Sequence, residues 1–460
     1  MRALELLIPI VLALFLVWPK PRPLVVRWLP PASLLLLGLH LVWEGYRWEM
    51  LGLYGLAAVL ALWAVAGLAL KRETGWKTGI PLLLVLVVAT AVPILVPVPV
   101  LPQPGGTLAV GTRTFELVDT SRKEVWSGKD EPRRFLIRAW YPALPTSGDK
   151  RAPWMEGAEV YAPALAAYMG LPSFALDHLA LARTTAFAIA KLAPQTGGYP
   201  LVLFSHGWKG FDAQNTAQAI ELASRGYLVV ALQHTYGAIT SVFPDGTIAP
   251  NNPAALPDGA PDAVYDEAAH RLVEQWSGDL AFTLDHLLVQ NGDSTSELFG
   301  AIDVQRVGVY GHSTGGGAAL QFAARDPRVK SVLGMDPFMR PVAPAVVASG
   351  LTTPSYYLFS QKWADDTGSL NNRLFATLSK ASTGSLGQVA IQGTGHLDFS
   401  DLPLLSPLAP LIGLKGPIDS ARVTAILNAY LVGFFDQTLR GSPSPLFAGD
   451  HPFAEVVAKK

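Results

Sequence analysis

Val307-Gly308-Val309-Tyr310-Gly311-His312-Ser313-Thr314-Gly315-Gly316 decides the fold of this chain. A short apolar run leads into the pentapeptide Gly311-His312-Ser313-Thr314-Gly315, and a helix-forming segment, 316–325, follows it. Strand, tight turn with a central serine, then helix is the local form of a nucleophile elbow. The flanking glycines let the backbone close where a Cβ would clash. The helix N-terminus behind the serine offers free N–H groups and partial positive charge, which favour a developing oxyanion. The pentapeptide alone is a common pattern; its place between a strand and a helix gives it meaning.

Outward from this stretch, short and nearly all-apolar runs recur and read as strands. They fall at 201–204, 227–232, 307–310, 332–335, 356–359 and 388–391, with an earlier alternating run at 134–142 that stops at Pro142. Helices are expected at 212–225, 265–289, 316–325 and 420–439. Such alternation predicts a mostly parallel sheet covered by helices on both faces. The fold class is therefore α/β, of the α/β-hydrolase type, over 113–445, with 446–460 as a C-terminal tail. The stretch 241–263, rich in Pro, Gly, Asn and Asp, is expected to form a loop near the mouth of the site.

The first hundred residues differ in kind. Charge over the 460 residues is balanced, 35 Lys+Arg against 36 Asp+Glu, which gives no footprint for nucleic acid. Charged residues make up only 15%, and mean hydropathy is +0.30. That excess comes from four apolar stretches, roughly 3–18, 28–43, 51–70 and 79–100. The last two approach the ~20 residues that cross a bilayer as helix. In the shorter two, Glu5 and His40 need an interface or a neighbouring helix. Trp18, Trp28, Trp43, Trp48 and Trp76 lie near segment ends, as in an interfacial belt. A cleaved signal peptide is the alternative for the first stretch, but Pro19-Lys20-Pro21-Arg22 is a poor cleavage site and three more apolar segments follow. The reading is an all-α membrane domain of about four helices over 1–100, then a Pro/Gly linker at 101–112.

Lys20, Arg22 and Arg27 mark the first connection and Lys71, Arg72 and Lys77 the third, whereas the second has Arg47 between Glu44 and Glu49. The positive-inside rule then sets the first and third loops in the cytoplasm. A multi-pass protein of a bacterial-type cell membrane follows, with its α/β domain on the extracytoplasmic side. If one short segment does not span, this orientation inverts.

A serine hydroxyl needs a base to take its proton and a third group to hold that base. In this fold the order along the chain is Ser, acid, His. Only His396 and His451 lie beyond Ser313. His396, in Gly393-Thr394-Gly395-His396 just past a strand, is the expected general base. Asp336 ends one strand and Asp365 follows the next, and residue type alone leaves both open as the acid. Oxyanion donors are expected from the backbone of Thr314 and of Trp208, the latter in Phe204-Ser205-His206-Gly207-Trp208. His206 precedes the serine and is read as shaping that loop.

These pieces together resemble the platelet-activating-factor acetylhydrolase group of α/β-hydrolases, plasma and intracellular serine type, and its dienelactone-hydrolase-like neighbours. The resemblance runs from about 111 to 441. It is carried by Phe204-Ser205-His206-Gly207, Ala223-Ser224-Arg225-Gly226-Tyr227, Val229-Val230-Ala231 with His234, Gly311-His312-Ser313-Thr314-Gly315-Gly316, Asp336, and Gly395-His396. It implies a metal-independent carboxylic-ester hydrolase using Ser313, Asp336 and His396, with no cofactor, and it favours Asp336 over Asp365. Trp208 and Thr314 depart from the family pattern and would line the acyl pocket; the membrane domain is no part of the family core.

The expected partners are a small-molecule or lipid ester and the membrane, with no nucleic acid and no metal. Two alternatives remain open from sequence: an acyltransferase to a membrane sugar or lipid acceptor using the same triad, and a non-catalytic membrane scaffold with a hydrolase fold.

Overall fold

The computed structural model describes residues 1–70, 76–449 and 452–459. Lys71, Arg72, His451 and the side chain of Trp76, all used in the sequence reading, lie outside the described residues or side chains. Among the described residues a sheet of twelve strands organises the chain beyond the linker. Its middle runs Ser385–Ile391, Ser355–Ser360, Val329–Met335, Ile302–His312, Tyr199–Ser205 and Leu228–Gln233, all parallel. Pro132–Leu144 and then Val110–Lys123 continue it antiparallel. The serine strand thus lies centrally, with Gly311 paired to Ser205 on one side and to Gly334 on the other.

Alternation along each strand sends side chains to two cores. Leu201, Leu203, Val307 and Val309 pack beneath the helices Asp262–Gly292 and Thr314–Arg325. Val202, Phe204 and Tyr310 pack on the other face against Thr216–Ser224 and Ser420–Arg440. Helices on both faces explain why the central strands are apolar throughout.

Three features depart from expectation. Val110–Lys123 is a strand, so the linker ends at residue 109 rather than 112. Its mixed, half-exposed side chains hide the alternation. The tail does not stand apart: Val456–Ala458 pairs antiparallel with Ser385–Ile391 and caps that sheet edge. The stretch 241–263 is partly regular, with the hairpin Thr240–Val242 and Ile248–Pro250 followed by a 3-10 turn, Pro253–Ala255.

The four N-terminal apolar stretches are all helical: Ala3–Val17, Leu29–Trp43, Leu51–Ala69 and Trp76–Leu95. Two of them, Trp48–Ala69 (with the preceding turn) and Lys77–Leu95, are long and apolar enough to cross a membrane. The other two stop short of the expected four, because 15 residues rise only about 22 Å against a hydrocarbon core of about 30 Å. Proline-rich sequence from Pro19 ends the first, and Gly45 with its left-handed φ of 84° follows the second. Glu5 is bound by Arg2 and Arg47, and His40 by Glu44 and Tyr54, so both polar groups are held by neighbours as anticipated. The helical unit touches the α/β unit through Trp48 on Phe174 (ring centroids 5.3 Å apart) and Glu49 on His178 (2.6 Å).

Candidate active site

Ser313 caps the helix Thr314–Arg325 with φ +56° and ψ −123°, a conformation few side-chain-bearing residues adopt. Strain of this kind persists only where surroundings impose it. Here Ser313 N–H donates to Met335 O (3.0 Å), and Ser313 O accepts from Phe338 N–H (2.9 Å) and Gly317 N–H (3.1 Å). Two glycines make the turn possible. A Cβ on Gly315 would come 2.2 Å from the carbonyl oxygens of Ser205 and His206, and one on Gly311 would come 2.2 Å from Gly315 O.

Asp336 follows the next strand, fully buried and also at positive φ, +42°. One carboxylate oxygen accepts Ser360 N–H (2.7 Å); the other accepts Ser360 Oγ–H (2.6 Å) and meets His396 Nδ1 at 2.9 Å. An acceptor at Nδ1 places that ring proton there and leaves Nε2 as the basic nitrogen. Trp363 stacks on the His396 ring at 4.4 Å with planes 4° apart, and His312 lies against it at 4.4 Å. His312 Nε2 meets His396 O at 3.0 Å, and its Nδ1 accepts from Gln214 Nε2 at 3.1 Å; burial pushes its pKa well down, so it serves as a neutral brace. Asp398 pins the histidine loop by accepting the N–H groups of Gly395 (2.7 Å) and Gly416 (2.6 Å).

The structure thus brings Asp336 and His396 together beside the serine turn. Asp365 is exposed at the end of Gln361–Asp365, and its carboxylate has no partner among the described residues. The hydroxyl of Ser313 has no hydrogen bond among the described residues, as is common before substrate arrives. Gly207 approaches so closely that a Cβ there would lie 3.2 Å from Ser313 Cβ. Neither Trp208 N–H nor Thr314 N–H has an acceptor among the described residues. Ser360, Trp363 and His312 had not been singled out from sequence. Ser360 and Trp363 carry no local signal, whereas His312 stood inside the pentapeptide.

Among the described residues one group could hold a metal ion: Glu5, His40 and Glu44, with ligand atoms within 4.8 Å of one another. Two guanidinium groups already neutralise Glu5, and His40 is spent on Glu44 and Tyr54, so the set is satisfied without an ion. It lies in the helical unit, away from Ser313.

The fold is similar to that of a solved esterase. Ferulic acid esterase from Streptomyces cinnamoneus aligns with a TM-score of 0.63 and 31% identity, over 78% of this chain and 99% of that chain. Topology and this likeness define the protein as an α/β-hydrolase that cleaves carboxylic esters. The model of one family, platelet-activating factor acetylhydrolase, isoform II, matches residues 98–254 and 277–442, well over half of the chain, and the protein belongs to that family. Platelet-activating factor acetylhydrolase of Cavia porcellus is 27% identical over 69% of this chain and 75% of its own length. A probable 1-alkyl-2-acetylglycerophosphocholine esterase of Arthroderma benhamiae is 26% identical over 78% of this chain and 93% of its own.

Proposed function

We propose that the protein is a membrane-tethered serine esterase that works through an acyl-enzyme on short-chain or lipid-type esters. Ser313 Oγ attacks the ester carbonyl while His396 Nε2 takes its proton. Asp336 holds the imidazole and offsets its positive charge. The N–H groups of Thr314 and Trp208 receive the oxyanion. His396 returns the proton to the leaving alcohol, and water repeats the sequence to release the acid. The observation that carries this reading is the 2.9 Å contact of Asp336 with His396 Nδ1 next to a strained serine at a helix N-terminus. The names of the relatives point to an acetyl or similarly short acyl group on a glycerophospholipid-like alcohol. A fluorophosphonate probe tests it: labelling of the wild type and none of Ser313→Ala is expected. Equal labelling of both would falsify the assignment of Ser313.

Tethering rests on the outer surface of the helical unit. Leu35, Val42, Leu62, Leu84 and Val88 are each more than 60% exposed, an apolar coat that a water-facing bundle does not carry. We take all four helices to lie in the bilayer, the two short ones supported by neighbours, with the esterase on the extracytoplasmic side. Because the chain has no cysteine, Ser147→Cys in an exposed loop reports the side cleanly. Labelling of intact cells by a membrane-impermeant maleimide is expected; labelling only after permeabilisation reverses the orientation.

A further inference from the structure

Behind the serine turn lies a second set of the same residue types, absorbed by none of the chemistry above. Ser205 Oγ meets His234 Nε2 at 2.9 Å, and His234 Nδ1 meets Asp279 Oδ2 at 2.9 Å. All three are fully buried, so no substrate reaches them. His234 stacks on Trp276 (4.2 Å, 6°), and Asp279 also takes Arg133 (2.7 Å) and Arg122 (2.8 Å). This cluster meets the oxyanion loop at His206, the residue that follows Ser205.

We propose that the cluster aims the oxyanion hole: His234, held by Asp279 and Ser205, sets the ring of His206, and His206 sets the direction of the Trp208 N–H. His206 Nε2 lies 3.2 Å from the backbone nitrogen of His234. A backbone amide only donates, so Nε2 accepts and the ring proton resides on Nδ1. That Nδ1–H donates to Gly207 O at 2.7 Å. Gly207 O is the carbonyl of the peptide unit whose N–H belongs to Trp208. The unit is trans and planar, so its C=O and N–H point in opposite directions. Drawing the oxygen inward turns the Trp208 N–H outward, on the side where Gly207 abuts Ser313. Gly210 N–H adds a second bond to the same oxygen (2.8 Å), and Lys209, at φ +57°, anchors the next peptide through its N–H to Gly237 O (2.9 Å). The opposite peptide orientation would aim a carbonyl at the oxyanion. The His206 ring packs edge to face against both His234 and Trp276, leaving it one seat. Burial keeps His206 neutral, consistent with a fixed tautomer.

The inference rests on the proposed esterase reading, and His206 in it is a positioning residue. Its test compares His206→Asn with His206→Gln. Asn presents an amide donor near Nδ1, within reach of Gly207 O; Gln presents it near Nε2, out of reach. His206→Asn should keep kcat within about threefold, whereas His206→Gln should lose about 10²-fold in kcat with KM little changed, the scale of one lost oxyanion donor. Affinity for a trifluoromethyl ketone, whose adduct carries the oxyanion, should fall in step with kcat in the Gln variant. Equal kcat in the two variants, or a kcat loss with unchanged ketone affinity, overturns the proposal. A Ser313→Ala control that stays active would instead defeat the underlying esterase reading, so the two failures are distinguishable.

Discussion

Ser313, His396 and Asp336 can be set beside Ser205, His234 and Asp279, which lie one strand away. Both histidines present Nδ1 to an aspartate at 2.9 Å, and both stack flat on a tryptophan. Three things separate them. The side chain of His396 keeps 25% of its surface while that of His234 keeps none. Ser313 sits at positive φ on a helix N-terminus, whereas Ser205 ends a regular strand with its hydroxyl already bonded to His234. Asp336 is held by a neutral serine and can offset charge on His396, whereas two arginines already compensate Asp279. Residue types and spacing of partners are thus shared by a site and by a strut. Access, backbone strain and uncommitted charge divide them.

Replacing the two serines gives the largest contrast. Ser313→Ala should lose at least about 10⁴-fold in kcat with its melting temperature kept. Ser205→Ala should stay within about tenfold in kcat and lose about 1 kcal/mol of stability, the worth of one hydrogen bond. A large activity loss in Ser205→Ala with a native melt would erase the distinction.

The aspartates come next. Asp336→Asn should cost about 10⁴-fold in kcat through the wrong imidazole tautomer. Asp279→Asn should instead cost about 1.5–3 kcal/mol in denaturant unfolding, because Arg133 loses one of its two buried carboxylates and keeps only Glu124.

The tryptophans sharpen the comparison on a smaller scale. Trp363→Ala removes a stacking partner worth about 1 kcal/mol, so a fall of several-fold in kcat is expected with little loss of stability. Trp276→Ala opens a cavity in the core and should lower stability more than Trp363→Ala does; because the ring also seats His206, a fall of several-fold in kcat accompanies it.

The smallest effect is a pH dependence of stability. Burial pushes His234 and His206 below the ordinary histidine range. The unfolded chain binds protons near pH 6.5 that the folded chain refuses, so this stability is present above that pH and declines as pH falls below it. This histidine contribution should therefore lower the melting temperature between about pH 7.5 and 5.5, equally in wild type and Ser313→Ala. Burial raises Asp212 to about 6 and Asp401 to about 8, a contribution of opposite sign, so a flat profile with both replaced by Asn contradicts neutral inner histidines.

Much of this was legible in the chain. Each strand expected from 201 to 391 is present, that at 227–232 displaced by one residue and the others lengthened by one to five residues at an end, because burial on both faces makes such segments apolar without interruption. Val110–Lys123 escaped because one side of it is half exposed, and Leu370–Ala381 because few apolar anchors, chiefly Phe375 and Leu378, hold it.

The sequence by itself determined that a serine would occupy a strand-to-helix turn and that a histidine would follow the last long strand, since glycine spacing and hydrophobic runs are local properties. Residue type alone left Asp336 and Asp365 open, with only the family resemblance favouring Asp336, and gave no sign that Ser205, His234 and Asp279 would meet. Only tertiary structure decided those, because strand order places distant residues side by side, and enclosure by other elements determines which of two like clusters meets water.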